Sequence, residues 1–440
     1  MSGSLMPSAS VSVSASTSAL AQSIAPAATN ANTRVLPWRD TNHSPLTGTE
    51  LKTLVVEAAL KEEHDNDDDD DEDRYLDVPG IAWMEHLNLI VGTCSADAKV
   101  AESFYIDTMG LTPDKSKSFH VNLGRQQFHL ATPKRDDEIP HRIHGSIGLV
   151  VPDLDALWER LVAARTRTRD NNDSDNDNDR GLLEGTLFDF YKEEERGAET
   201  ETTTAIVHVR CPWGNVFRCY SASDRGNCNY EGSSSSSSSA TTPIQESPQK
   251  MTNLHAPRIG VHGSDKMGVL SVGAPGIRFV EFVLPKGVKA KDVCEFYKDT
   301  IKCSATIGNT KTSSGSDLDC CLVSVGPGIH LVYAESPDSI DTTMEDEAEL
   351  FHRMKGVHVC IYAHDFYRLY HRLEDRSLVW TNPRFTRLDR CDTWEDAKRS
   401  RTLRFRHLVD SQNKVLMELE HETRPLRHGQ FMKVPYYVPR

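Results

Sequence analysis

No two cysteines stand in a CxxC spacing, no apolar run is long enough to cross a bilayer, and no basic stripe interrupts this acidic chain. Each absence excludes a class. The 10 cysteines of the 440 residues are irregularly spaced, which argues for reduced intracellular thiols rather than a disulfide framework. The vicinal pair Cys320-Cys321 reads as neighbours on a strand, pointing to opposite faces. Without about 20 consecutive apolar residues there is no spanning helix, and no membrane partner is expected. The net charge of -15 owes much to two acidic blocks, Glu62 to Asp73 and Asp170 to Asp179. With no row of Lys and Arg to neutralise phosphates, a nucleic-acid partner is not expected either.

Asp and Glu are missing from the first 39 residues, which are rich in Ser and Ala and carry only Arg34 and Arg39 as basic groups. Such a head fits an organelle transit peptide or a disordered tail on a cytoplasmic protein, and both readings stay open. Residues 1–78 form this low-complexity head, with a short helix expected near Leu51 to Leu60. Removing the biased segments leaves about two domains' worth of sequence: one at 79–221, one at 276–440, and a Ser-rich linker at 222–275 between them. The apolar residues Phe431, Val434, Tyr436, Tyr437 and Val438 predict that the C-terminal segment docks on a domain surface.

What is present is repetition, which takes precedence because it fixes which positions correspond. Phe104-Tyr105-Ile106-Asp107-Thr108 is matched by Phe296-Tyr297-Lys298-Asp299-Thr300. Each phrase follows an apolar strand-like run and precedes a strand containing a histidine, His129 in one case and His330 in the other. Two further copies open at Ser146 to Asp153 and His358 to Asp365. After each Asp, apolar residues recur at i, i+3, i+4 and i+7: Leu154, Leu157, Trp158 and Leu161, then Phe366, Leu369, Tyr370 and Leu373. That spacing marks a helix with one buried face. Strand alternation places His86 and Asn88 opposite Leu87 and Leu89, and His129 opposite Phe128 and Leu130, so both histidines face away from the helices.

In this order the phrases His86 to Val91, Phe104 to Leu111, Gln127 to Leu130, Ser146 to Asp153 and Cys211 to Arg218 resemble the vicinal oxygen chelate superfamily, which includes glyoxalase-like and extradiol dioxygenase-like proteins. The resemblance implies an α+β fold of tandem paired βαβββ modules, forming two cup-shaped mixed sheets with helices on the outer face. It also implies a divalent metal (Fe, Zn, Mn or Ni) held in a cup. Carried over residue by residue, it assigns His86, His129 and either Ser146 or the nearby His144 to the first domain, with Arg218 where a carboxylate is expected. Arg cannot ligate a cation. In the second domain it assigns Arg278, His330, His358 and Glu418, with Glu418 as ligand or catalytic base. Arg218 and Arg278 then suit an anionic substrate. Two functions remain open. One is a metal-dependent enzyme of the lyase, isomerase or dioxygenase type, acting on a small carbonyl or vicinal-oxygen compound; the other is a metal-free protein that binds or sequesters a small molecule on the same fold. Of the two domains, the second is expected to favour metal, because only it offers a carboxylate.

Overall fold

The repeated phrases predict equivalent elements, and the computed structural model shows them. It describes residues 44–65 and 80–431, apart from 115–118, 124–125, 136, 170–180, 197–202, 222–275, 312–316, 327, 337–343 and 386–388. The Ser/Ala-rich head before residue 44, most of the first acidic block, all of the second, the Ser-rich linker and residues 432–440 of the expected docking segment lie outside the described residues. Within that segment Phe431 does dock, its ring 4.8 Å from Tyr362.

Helix α1 (Gly48–Asp65) precedes four modules. The first is β1 (Ile81–Ile90), α2 (Ala98–Glu102), β2 (Thr112–Pro113), β3 (His120–Leu123) and β4 (Gln126–Ala131). The second is β5 (Ile147–Val151), α3 (Leu154–Arg169), β6 (Asp189–Arg196), β7 (Thr203–Arg210) and β8 (Val216–Ser221). The third is β9 (Gly276–Val283), α4 (Ala290–Phe296), β10 (Ala305–Lys311), β11 (Asp317–Ser324) and β12 (His330–Ala334), followed by the connecting helix α5 (Met344–Met354). The fourth is β13 (His358–Ala363), α6 (Phe366–Asp375), α7 (Trp394–Ser400), β14 (Leu403–Val409) and β15 (Val415–Pro425). Asp153 and Asp365 accept hydrogen bonds from the N–H groups of Ala156 and Arg368, capping α3 and α6; a cap of this kind contributes about 1 kcal/mol.

Two mixed sheets result. The seven-stranded sheet runs β14-β15-β13-β1-β4-β3-β2, and the eight-stranded sheet runs β10-β11-β12-β9-β5-β8-β7-β6. The pairing differs from the expected division at 79–221 and 276–440. β1 pairs antiparallel with β13, joining the first module to the fourth, while β5 pairs antiparallel with β9, joining the second to the third. The physical reason is that every module offers the same free edge on its first strand, so repetition identifies the modules without naming their partners.

The apolar faces of both sheets belong to one core, and the Phe-Tyr phrases bridge it. α2 and α4 each end in a π-helical turn, Ser103–Thr108 and Tyr297–Ile301, which carries the phrase inward. Tyr105 lies 5.9 Å from Phe128 of the first sheet and 6.1 Å from Phe217 of the second, measured between ring centroids. Tyr297 meets Tyr333 by its hydroxyl at 2.5 Å and His421 Nε2 at 2.7 Å. Burying each aromatic of the pair contributes roughly 1.5–3 kcal/mol, so the repeated phrase is a packing signature.

Candidate functional site

The polar face of the seven-stranded sheet carries a buried cluster that begins at a bulge in β1. Met84 opposes Ile361 and His86 opposes Cys360, leaving Glu85 as the extra residue. A bulge bends the strand and places consecutive side chains on the same side, which is how Glu85 and His86 both reach the cup. His358 opposes Asn88 on β1 and Glu420 on β15, and Glu422 opposes Cys360. His358 Nε2 lies 3.4 Å from Glu422 Oε2, and His86 Nε2 lies 3.8 Å from the same oxygen. One donor atom from each of His86, His358 and Glu422 falls within 4.8 Å of the others, and all three residues are buried.

The electrostatics are dense. Glu422 accepts from Arg404 Nη2 at 2.6 Å and from Arg424 Nε at 2.6 Å. Burial pushes its carboxyl up, but the two guanidinium groups and the neighbouring histidines outweigh burial and hold it well below the usual carboxylate range. Arg404 also donates to Glu420 at 2.6 Å and Asp389 at 2.7 Å. Glu85 accepts from Arg424 at 2.8 Å and from the Tyr362 hydroxyl; burial nevertheless raises its pKa. Burial lowers His86 well below the ordinary imidazole value, so it is a neutral donor at pH 7. Its Nε2 is buried without a hydrogen-bond partner.

These observations test the metal that the family resemblance implies. Two imidazoles and one carboxylate form a set suited to a divalent transition ion with open positions. Four carboxylates (Glu85, Asp389, Glu420, Glu422) surround two guanidinium groups, which leaves formal negative charge in the cup. The orphaned Nε2 of His86 points to the same conclusion, since a buried nitrogen without a partner is costly. The residues present fit a divalent ion.

Beside the cluster opens a cleft of about 370 Å³ whose walls include Asn88, Trp380, Phe385, Arg406, Glu418 and Glu420. Its rim is built by the segment between α6 and α7, which has no strand among its described residues and folds over the cup. Asn382 donates to both oxygens of Glu420 at 3.0 and 2.8 Å. Across the opening, Arg384 donates to Glu138 at 3.0 Å.

The expected site residues are redistributed. His86, His129 and His358 share the seven-stranded sheet, whereas Ser146, Arg218, Arg278 and His330 lie on the eight-stranded sheet. His330 and His358 therefore cannot converge on one ion, and the expected second-domain set is not assembled. His129 stacks on His86 with ring centroids 3.5 Å apart, and its Nε2 faces Gln127 Oε1 at 2.9 Å rather than the Glu422 cluster. His144 packs near Phe351. Glu418 sits at the outer rim, 3.8 Å from Arg406 and 40% exposed, so Glu422 replaces it as the inward carboxylate. The reason lies in strand length: β15 has 11 residues against six in β8, so counting from the preceding turn stops too early. Pairing with β13 would have found it.

The same positions of the eight-stranded sheet hold different chemistry. Arg278 is the bulge residue of β9, and Phe279 takes the place of His86, with His330 as its register partner on β12. Gly148 is required beside it, because a Cβ there would meet the Phe279 ring at 2.2 Å. Ser146 stands for His358 and donates to Glu281 at 2.5 Å. Arg218 stands for Glu422, 3.8 Å from Glu281. Phe279 and Arg218, at the positions of His86 and Glu422, have no lone pair to offer a cation.

No protein-family profile matches the sequence, and no curated protein does. Among solved structures, glyoxalase I from Zea mays matches with a TM-score of 0.40 and 11% identity over 78% of this chain and 92% of that one. A variant of the same maize enzyme gives 0.42 at 10% identity, again over 78% of this chain and 92% of that one. A virulence protein from Salmonella typhimurium covers 32% of this chain and 97% of its own length, with 16% identity and a TM-score of 0.20. The architecture expected from the sequence resemblance, paired βαβββ modules forming mixed sheets, is the one observed, with the fourth module one strand short among its described residues.

Proposed function

We propose that the protein binds a divalent metal in the cup of the seven-stranded sheet and acts there on a small carbonyl or vicinal-oxygen compound. The observation that carries this reading is the buried convergence of His86, His358 and Glu422 beneath an open cleft. His86, His358 and Glu422 would hold the ion, which would act as a Lewis acid toward adjacent oxygens of the bound molecule. Trp380 and Phe385 wall the cleft and exclude water from one side. Glu420, whose carboxylate lines the cleft floor beside His358, is placed to exchange a proton with the bound molecule.

One observation favours a second reading. Both oxygens of Glu422 already accept from arginine side chains, an arrangement also suited to a metal-free cup that binds a polar small molecule. Metal content separates the two. Full-length protein purified without chelator should hold about one divalent ion per chain, and His86→Ala and His358→Ala should each lose it. Metal-free protein that also fails to take up Fe(II), Zn(II), Mn(II) or Ni(II) on titration would favour the second reading.

A further inference from the structure

Helix α1 lies outside the four repeated modules, yet it fills the cup of the eight-stranded sheet. Leu51, Leu54, Val55 and Ala58 recur at i, i+3, i+4 and i+7, and with Leu46 they are buried against Val150, Tyr220, Phe279, Cys320, Leu322 and Val332. This is the spacing by which an amphipathic helix anchors in an apolar groove. The leading turn is held by polar groups. Arg218 donates to the Leu46 carbonyl at 2.7 Å, Tyr220 to the Gly48 carbonyl at 2.9 Å, Thr49 to Glu193 at 3.2 Å, and Ser44 to Glu281.

Two of these gripping residues occupy positions that line the candidate centre in the other sheet: Arg218 corresponds to Glu422, and Glu281 to Asn88. The grip is incomplete, since Nε and Nη1 of the buried Arg218 have no hydrogen-bond partner. A backbone carbonyl satisfies one arm of the guanidinium and leaves the rest.

We propose that the cup of the eight-stranded sheet is a receptor for an amphipathic helix, with α1 as its tethered and exchangeable occupant. The partner chemistry is an apolar i, i+3, i+4, i+7 stripe, preceded by a turn that presents backbone carbonyls and small hydroxyl side chains. Because α1 is joined to β1 by the short stretch 66–79, binding occurs at high effective concentration and the cup is kept filled. Cutting that stretch converts the contact into a two-body equilibrium.

The test uses the full-length chain with a specific protease site inserted between Asp65 and Gly80, cleaved in the folded state. The freed N-terminal fragment should co-elute with the body on gel filtration. A fluorescent peptide of residues 44–60 should then exchange into the cut protein, and bind the uncut protein at least about tenfold more weakly because the cup is occupied in cis. The same peptide carrying Leu51→Asp and Leu54→Asp should bind about a hundredfold more weakly, and Arg218→Met in the body about tenfold more weakly. A fragment that departs with no peptide binding in its place would overturn the proposal. So would a fragment that never exchanges under excess peptide, or a body that loses its circular dichroism signal on cleavage, since α1 would then be a fixed part of the core.

Discussion

Arg218 and Glu422 occupy the same place in the two sheets: Arg218 opposes Gly148, two residues beyond Ser146, and Glu422 opposes Cys360, two residues beyond His358. One substitution of charge sign at this position separates a cup that can hold a cation from one that holds a backbone carbonyl. Glu422→Gln should therefore abolish metal uptake while leaving the eight-stranded cup unchanged. It should also destabilise the fold by about 2–4 kcal/mol, because buried Arg404 and half-buried Arg424 remain beside a lost charge. Denaturant midpoints and metal analysis of the same preparation check both parts. Glu418→Gln, at the exposed rim, should stay within about 0.5 kcal/mol of the parent.

His86 and His129 make a second pair of opposing expectations. Both were legible as polar-face histidines, yet only His86 reaches Glu422. His86→Ala should reduce metal affinity by at least about a hundredfold through loss of a donor. His129→Ala should cost about tenfold or less, the scale of a supporting contact. Isothermal titration with Zn(II) measures the two. Equal losses would place His129 among the ligands after all.

The modules, their order, the helices that follow Asp153 and Asp365 and the polar faces of His86 and His129 could all be read from the sequence, because each depends on local periodicity. The partnership between modules could not, because pairing of first strands is long-range and the repeats are alike at that edge. A bulge defeated the assignment of Arg278, since an added residue shifts which side chains share a face, and the bulge at Glu85 adds a carboxylate that strict alternation leaves out. Glu422 was missed through the length of β15. The role of α1 was hidden for a different reason: its stripe at Leu51, Leu54, Val55 and Ala58 signals a buried face, whereas its acceptor surface is assembled from six separate strands, β5, β7, β8, β9, β11 and β12.

Tyr297 joins the two sheets through its hydroxyl, which bonds to both Tyr333 and His421. Tyr297→Phe keeps the ring and removes the oxygen, leaving two buried polar atoms short of a partner. The expected cost is about 1–3 kcal/mol, seen as a lower urea midpoint with an unchanged denaturant slope. Tyr105→Phe, at the matching repeat position, removes a hydroxyl that has no hydrogen-bond partner. It should be neutral or slightly stabilising.

Acid sensitivity follows from His421. Its ring is fully buried: Nδ1 lies 2.9 Å from the Leu419 carbonyl and Nε2 lies 2.7 Å from the Tyr297 hydroxyl. A carbonyl can only accept, so Nδ1 carries the proton and Nε2 takes the Tyr297 hydrogen, which makes the ring neutral. Its pKa is lowered to about 4: burial is the main cause, the Leu419 carbonyl opposes the shift, and the nearby His358 adds to it. In the unfolded chain an imidazole titrates near about 6.5. Because the unfolded state binds the proton more readily, the stability contributed by neutral His421 is fully present above about pH 6.5 and is lost as pH falls toward 4. At pH 4.5 the loss from this residue should reach about 2–3 kcal/mol, at about 1.4 kcal/mol per pH unit. His141, whose pKa burial lowers to about 3, adds a loss of the same sign over the same interval. Urea midpoints of the parent and of His421→Gln, measured between pH 7.5 and 4.5, should converge as the pH falls, since the variant lacks the titrating ring. Parallel curves across that range would show that His421 is not the group being protonated on unfolding.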